Sequence, residues 1–174
     1  MHYLVTGGSG FIGAALIPEL LARGHSVTVL SRYVRAGEAS LHFVTSLDAI
    51  AADTRIDVVI NLAGAPLAGK RWTQAYKREI IASRLATTEW LLRLMTRLDT
   101  PPEVLLSASA IGYYGHHGDE PLTEEGAVVP GFAQELCQRW ETLAMRAAGL
   151  GVRVCVLRLG VVLDRNGGAL VEMA

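Results

Sequence analysis

One feature constrains this chain more than any other: a glycine-spaced turn between a strand and a helix at its N-terminus. His2 to Thr6 reads as a short apolar strand, and Thr6-Gly-Gly-Ser-Gly-Phe-Ile-Gly follows it directly, with Gly7, Gly10 and Gly13 spaced as GxxGxxG. Phe11 to Arg23 then reads as a helix closed by Gly24, and Ser26 to Ser31 as a second strand. Pro18 falls inside that helix and removes a backbone donor, so the sequence predicts a kink or strong packing there.

The rest of the chain keeps the same alternation. Leu41 to Thr45, Asp57 to Leu62, Glu103 to Ser107 and Arg153 to Leu157 read as further strands. Thr73 caps a long helix running to about Leu98, with Ile81, Leu85, Thr88, Leu92 and Met95 on one face. Phe132, Leu136, Trp140, Leu143 and Ala147 mark another helix, after a polar loop from Gly112 to Gly131. Strands that are apolar throughout, such as Val58-Val-Ile, are covered on both faces in parallel sheets. The expected fold is therefore α/β: a doubly wound parallel sheet of Rossmann type, occupying residues 1–174 as one domain.

In that setting the glycines have a chemical meaning. They permit a tight turn and a close approach of pyrophosphate, while the helix start offers free N–H groups and a positive dipole end. Gly7, Gly10, Phe11, Ile12 and Gly13 are the expected dinucleotide contacts, with Leu62, Ala63 and Gly64 forming a second wall after the fourth strand. NAD binders usually place an acid about 20 residues on to hold the ribose hydroxyl. Between Gly13 and Gly37 the only acid is Glu19, in mid-helix. Ser31 and Arg32 stand instead at the end of the second strand, and arginine suits a 2′-phosphate. The expectation is NADP(H), with NAD(H) as the alternative.

Composition narrows the classes further. Sixteen basic residues against seventeen acidic ones, without a basic stripe, argue against a nucleic-acid or membrane-surface partner. Cys137 and Cys155 have no metal-ligand spacing and read as reduced thiols, which fits a cytoplasmic protein. The apolar run Tyr3 to Thr6 is too short for a signal peptide, and no metal site is expected from His116 and His117, adjacent residues in a flexible loop.

Beyond the glycine turn, the residues resemble the atypical extended short-chain dehydrogenases/reductases, specifically the NAD-dependent epimerase/dehydratase-like branch. Members of that branch carry labels such as sugar-nucleotide epimerase-like and cell-division-inhibitor-like. The resemblance rests on Asn61-Leu-Ala-Gly-Ala-Pro, Gly69-Lys-Arg-Trp-Thr, Ser107-Ala-Ser-Ala-Ile-Gly-Tyr-Tyr-Gly, Cys137-Gln-Arg-Trp-Glu and Leu157-Arg-Leu-Gly-Val-Val-Leu. It implies hydride transfer at an oxygen-bearing carbon of a small substrate, possession of a serine at Ser109, and homodimers. It also implies a smaller substrate-binding part following the pattern in which this chain stops.

The superfamily's tyrosine and lysine, spaced YxxxK, have no match here. No tyrosine is followed four residues later by lysine, the only lysines are Lys70 and Lys77, and the chain reads Phe132-Ala-Gln-Glu-Leu where that helix should begin. Phenol needs a neighbouring cation to act as acid near neutral pH. Two readings follow: Tyr113 or Tyr114 takes the acid role beside Ser109, or the protein binds NADP(H) as a non-catalytic sensor or partner-binding module. Lys70, Arg71 and Trp72 are the expected substrate contacts, gripping an anionic group and stacking a ring. Trp140 reads as core, Arg158 as a strand-end residue able to reach the pocket, and Glu141 has no assigned chemistry.

Overall fold

A computed structural model of the protein describes residues 1–67, 70–164 and 167–168; Gly69 and residues 169–174, which the sequence reading touches, lie outside them. Six parallel strands form one sheet in the order β3-β2-β1-β4-β5-β6. They are β1 (His2–Thr6), β2 (Ser26–Leu30), β3 (Leu41–Val44), β4 (Val58–Asn61), β5 (Val104–Ala110) and β6 (Arg153–Leu159). The crossovers carry α1 (Phe11–Ala22), α2 (Gln74–Arg97) and α3 (Phe132–Ala144), and a short hairpin of β7 (Leu163–Asp164) with β8 (Gly167–Gly168) follows. The doubly wound α/β architecture is thus present.

Alternation along the strands explains why both faces are covered. Leu4, Val59 and Leu105 turn toward α2 and α3, where they meet Leu91, Leu94, Met95 and Ala144, with Ala147 just beyond the end of α3. Val5, Val27, Val29, Val58 and Ile60 turn the other way, onto Ile17 and Leu20 of α1. Burying each such side chain contributes about 1.5–3 kcal/mol.

Three expectations need correction. Pro18 does not pack strongly: it stands exposed, and α1 continues past it to Ala22. The carbonyl that loses its donor belongs to Ala14, an exposed residue. On α2 the buried face is Tyr76, Ile80, Arg84, Thr87, Thr88, Leu91, Leu94 and Met95, while Ile81, Leu85 and Leu92 border it half-buried. An apolar template misses this face because its middle is polar. Finally, β5 and β6 run longer than their apolar cores, pairing Ser109 with Arg158 and Ala110 with Leu159.

Polar groups knit the sheet to α2 and α3 beneath the strands' C-terminal ends. Asn61, fully buried, accepts from Thr6 Oγ1 at 2.6 Å and donates from Nδ2 to Thr88 Oγ1 at 3.0 Å. Trp140 Nε1 donates to the same Thr88 hydroxyl at 3.1 Å. Buried polar groups persist when each is satisfied, and this set fixes β1, β4, α2 and α3 relative to one another.

Candidate active-site groove

At the end of β1 the chain turns on Gly7, whose φ of +70° favours glycine, and a Cβ there would stand 2.6 Å from the backbone carbon of Leu62. Gly13 lets α1 settle on the turn, since its Cβ would come within 2.5 Å of Gly8 Cα. The helix begins at Gly10 with no side-chain cap and no acid in its first turn, so its N-terminal amides are available to an anion. Ser31, at the end of β2, is buried; its Oγ donates to the carbonyl of Tyr33 at 2.8 Å and accepts from that residue's N–H at 3.2 Å. This local turn presents Arg32, which is exposed, leans its guanidinium carbon 6.0 Å over the Tyr33 ring, and has no carboxylate partner among the described residues.

The glycine turn opens into a groove of about 570 Å³ whose walls include Gly7, Gly10, Phe11, Ile12, Gly13, Leu62, Gly64, Trp72 and Ser109. Of the residues expected from the sequence, the glycine turn, Leu62, Gly64 and Ser109 share this groove, whereas Ser31, Arg32, Tyr113 and Tyr114 do not line it. Ala63 is adjacent, its N–H donating to Thr6 Oγ1 at 3.3 Å. Trp72 is fixed by a 2.8 Å bond from Nε1 to the Leu67 carbonyl and by an edge contact on Phe132. Lys70 and Arg71 do not line the groove: Lys70 Nζ sits 4.9 Å over the Tyr76 ring, and Arg71 is exposed.

Ser109 lies in β5 and is 4% exposed. Its hydroxyl donates to Glu141 Oε1 at 2.6 Å, and the same carboxylate holds Arg158 through Nε to Oε1 at 3.0 Å and Nη2 to Oε2 at 2.9 Å. The carboxylate raises the guanidinium's pKa above its ordinary value, so Arg158 is a permanent cation. Tyr113 and Tyr114 gather around that cation rather than in the groove wall. The guanidinium carbon lies 3.5 Å from the Tyr113 ring centroid, and Nη1 donates to the Tyr114 hydroxyl at 3.0 Å. Among the described residues, hydrogen bonds link Tyr114 to Ser109 through Arg158 and Glu141.

Glu141 is the residue the sequence reading passed over. Its signal was present: it stands four residues after Cys137 on α3, and that spacing puts both on one helix face. The same face corrects the register of the missing tyrosine–lysine pair. Ala133, Leu136 and Cys137 line the groove beside Ser109, whereas Phe132 packs on Trp72 and under Lys77 Nζ. Burial pushes the Cys137 thiol above its usual range, against a weaker lowering influence of the neighbouring Ser109 hydroxyl. Arg84, also unforeseen, reaches the groove from α2.

In the loop after β5, His117 Nδ1 lies 2.8 Å from Glu120 Oε1 and Nε2 lies 3.0 Å from the Tyr114 carbonyl. Among the described residues no three metal-ligating side chains converge, and no helix is long and apolar enough to cross a membrane.

Comparison with known proteins gives a consistent placement. The model of the NAD dependent epimerase/dehydratase family matches residues 3–166. Epimerase family protein SSP1921 of Staphylococcus saprophyticus is 38% identical over 178 residues, covering 99% of this chain and 59% of that protein. The crystal structure of human epimerase family protein SDR39U1 with NADPH superposes with a TM-score of 0.88 at 35% identity, over 99% of this chain and 58% of that one. A nucleoside-diphosphate sugar epimerase from Corynebacterium glutamicum gives a TM-score of 0.81 at 33% identity, over 99% of this chain and 36% of its own. This chain thus spans 58% to 59% of the length of curated relatives it matches.

Proposed function

The chain belongs to the NAD-dependent epimerase/dehydratase family, and from that premise we propose that it binds a nicotinamide dinucleotide, NADP(H) in preference to NAD(H), and acts on an oxygen-bearing carbon of a small substrate. The observation that carries the reading is the single groove joining the glycine turn to Ser109. The turn fits a pyrophosphate: Gly7 and Gly13 let the turn and α1 pack where a Cβ would strike backbone, and the uncapped start of α1 supplies N–H donors. NADPH in the human relative supports the cofactor class. When bound, that cofactor supplies or accepts a hydride.

The protein's own residues supply orientation and proton handling. Ser109 holds the reacting oxygen from the wall of the groove. Because its hydroxyl proton is already directed at Glu141, Ser109 presents lone pairs to the substrate and can pass a hydroxyl proton on to the carboxylate. Arg158 holds Glu141 in place, and Tyr113 and Tyr114 keep Arg158 in place. Trp72 offers an aromatic face at the groove's mouth, with Lys70 and Arg71 contributing charge near it for an anionic substrate.

A second reading, a non-catalytic NADP(H) sensor, is favoured by one observation: the α3 face beside Ser109 carries Ala133, Leu136 and Cys137, without phenol or ammonium. Calorimetric titration tests the cofactor assignment. Micromolar NADPH binding with NADH at least about tenfold weaker is expected, tenfold being 1.4 kcal/mol. Equal affinities overturn the 2′-phosphate assignment to Arg32, and no binding of either overturns the dinucleotide reading. Screening carbonyl compounds for NADPH oxidation then separates enzyme from sensor.

A further inference from the structure

Arg84 carries a charge that this mechanism does not use. The residue is 8% exposed, and burial lowers its guanidinium pKa from the ordinary value. No carboxylate pairs with it among the described residues. Its Nη1 is committed, donating to the carbonyls of Ala65 and Ile80, each at 3.1 Å. Trp140 lies beneath it, with the ring centroid 5.3 Å from the guanidinium carbon.

The donors on Nε and Nη2 have no hydrogen-bond partner among the described residues. Together they form the side-on fork that matches two oxygens of a carboxylate or phosphate. Gly64 makes room for this group. A Cβ there would stand 2.8 Å from Cζ, 3.0 Å from Nη2 and 3.1 Å from Nε, so only glycine lets the guanidinium lie where it does. Both residues line the groove, with Ser109 and Cys137 close by. No unpartnered side-chain nitrogen is sealed off among the described residues, so the fork opens to the groove, where an arriving anion can reach it.

We infer that Arg84 is an oxyanion receptor in the groove wall, its Nε–Nη2 fork taking a carboxylate or phosphate of the small molecule that binds there. The inference rests on the groove being the dinucleotide and substrate site. Two sources share this chemistry: the pyrophosphate of the cofactor, and an acidic group on the substrate.

The test is a set of calorimetric titrations on wild type, Arg84→Gln and Arg84→Lys. The ligands are NADPH, then oxalate and inorganic phosphate, the last two against both free and NADPH-loaded protein. Arg84→Gln is expected to weaken at least one ligand by about tenfold or more, with Arg84→Lys intermediate, in line with loss of a charge-assisted fork. Weakened NADPH assigns the fork to the cofactor; unchanged NADPH with weakened oxalate or phosphate assigns it to the substrate. Unchanged affinities in Arg84→Gln, or a wild type that binds NADPH but neither simple anion while the variant binds NADPH equally, overturn the inference and leave the dinucleotide reading standing. A wild type that binds no NADPH defeats that reading instead, and the anion titrations of free protein still judge Arg84. Should Arg84→Gln not fold, Gly64→Ala displaces the same guanidinium, and unchanged binding in that variant is equally fatal.

Discussion

Ser109 and Glu141, 32 positions apart in sequence, share a 2.6 Å hydrogen bond in which the serine hydroxyl is the donor. The direction matters more than the length. A serine that donates to a carboxylate has its lone pairs left for a substrate hydroxyl, and the carboxylate becomes the next stop for a proton. Arg158 sits across the β5–β6 ladder from Ser109 and closes the set from the other side.

Glu141→Gln therefore separates charge from shape. The amide can still meet Ser109 and Arg158, but it cannot take a proton. Turnover is expected to fall at least about tenfold while NADPH affinity holds, the pattern of an interaction that matters mainly in the transition state. Melting temperature should also drop, since a hydrogen bond to a charged partner contributes about 1.5–3 kcal/mol. Steady-state kinetics beside NADPH titration checks this, and full activity in the variant removes Glu141 from the mechanism.

Tyr114→Phe addresses the phenol directly. Its hydroxyl accepts from Arg158 and stands outside the groove wall. A positioning role predicts a rate loss below about tenfold, whereas loss of a proton donor costs about a hundredfold or more. The measured rate ratio decides between them.

The sequence made the scaffold legible because its signals are local. A glycine turn, apolar runs of strand length and the Thr73 cap each act within a few residues, and every expected strand formed. The site was legible only in part. Ser109 and the glycines could be read from their places at strand ends. Arg84 could not, and Glu141 only through its place four residues after Cys137, because each is polar within a helix and acquires its role from residues on other elements. Arg84 depends on Gly64, and Glu141 on Ser109 and Arg158. The same cause displaced the reading of α2, whose buried face includes Arg84, Thr87 and Thr88.

Two glycines with similar backbone angles offer a controlled comparison. Gly7 at φ +70° would drive a Cβ to 2.6 Å from Leu62 backbone, while Gly24 at φ +76° has nothing within 4 Å of that position. Gly24→Ala should cost only left-handed strain, about 1–2 kcal/mol. Gly7→Ala adds a clash with the exit of β4, so it should cost more and also abolish NADPH binding. Thermal melting and titration of the two variants side by side measure the difference; equal costs would mean that the β4 exit yields freely.

The loop that covers Tyr114 should respond to pH. Both ring nitrogens of His117 face oxygens that only accept, Glu120 Oε1 and the Tyr114 carbonyl, so two N–H donors are needed to satisfy both. Glu120 accordingly raises the imidazole above its ordinary 6.5, and His117 holds the carboxyl below its ordinary 4.5. A raised histidine stabilises the loop fully below about 6.5 and loses that contribution as pH climbs through its folded value. The glutamate's contribution is present above 4.5 and lost as pH falls through its own lowered value. Hydrogen exchange reads this at Val129, whose N–H donates to the Tyr114 carbonyl at 2.7 Å. After correction for intrinsic rates, protection there should be greater at pH 6 than well above the histidine's folded pKa, and His117→Ala should flatten the difference. Equal protection in wild type across that range would mean that the imidazole does not hold the loop.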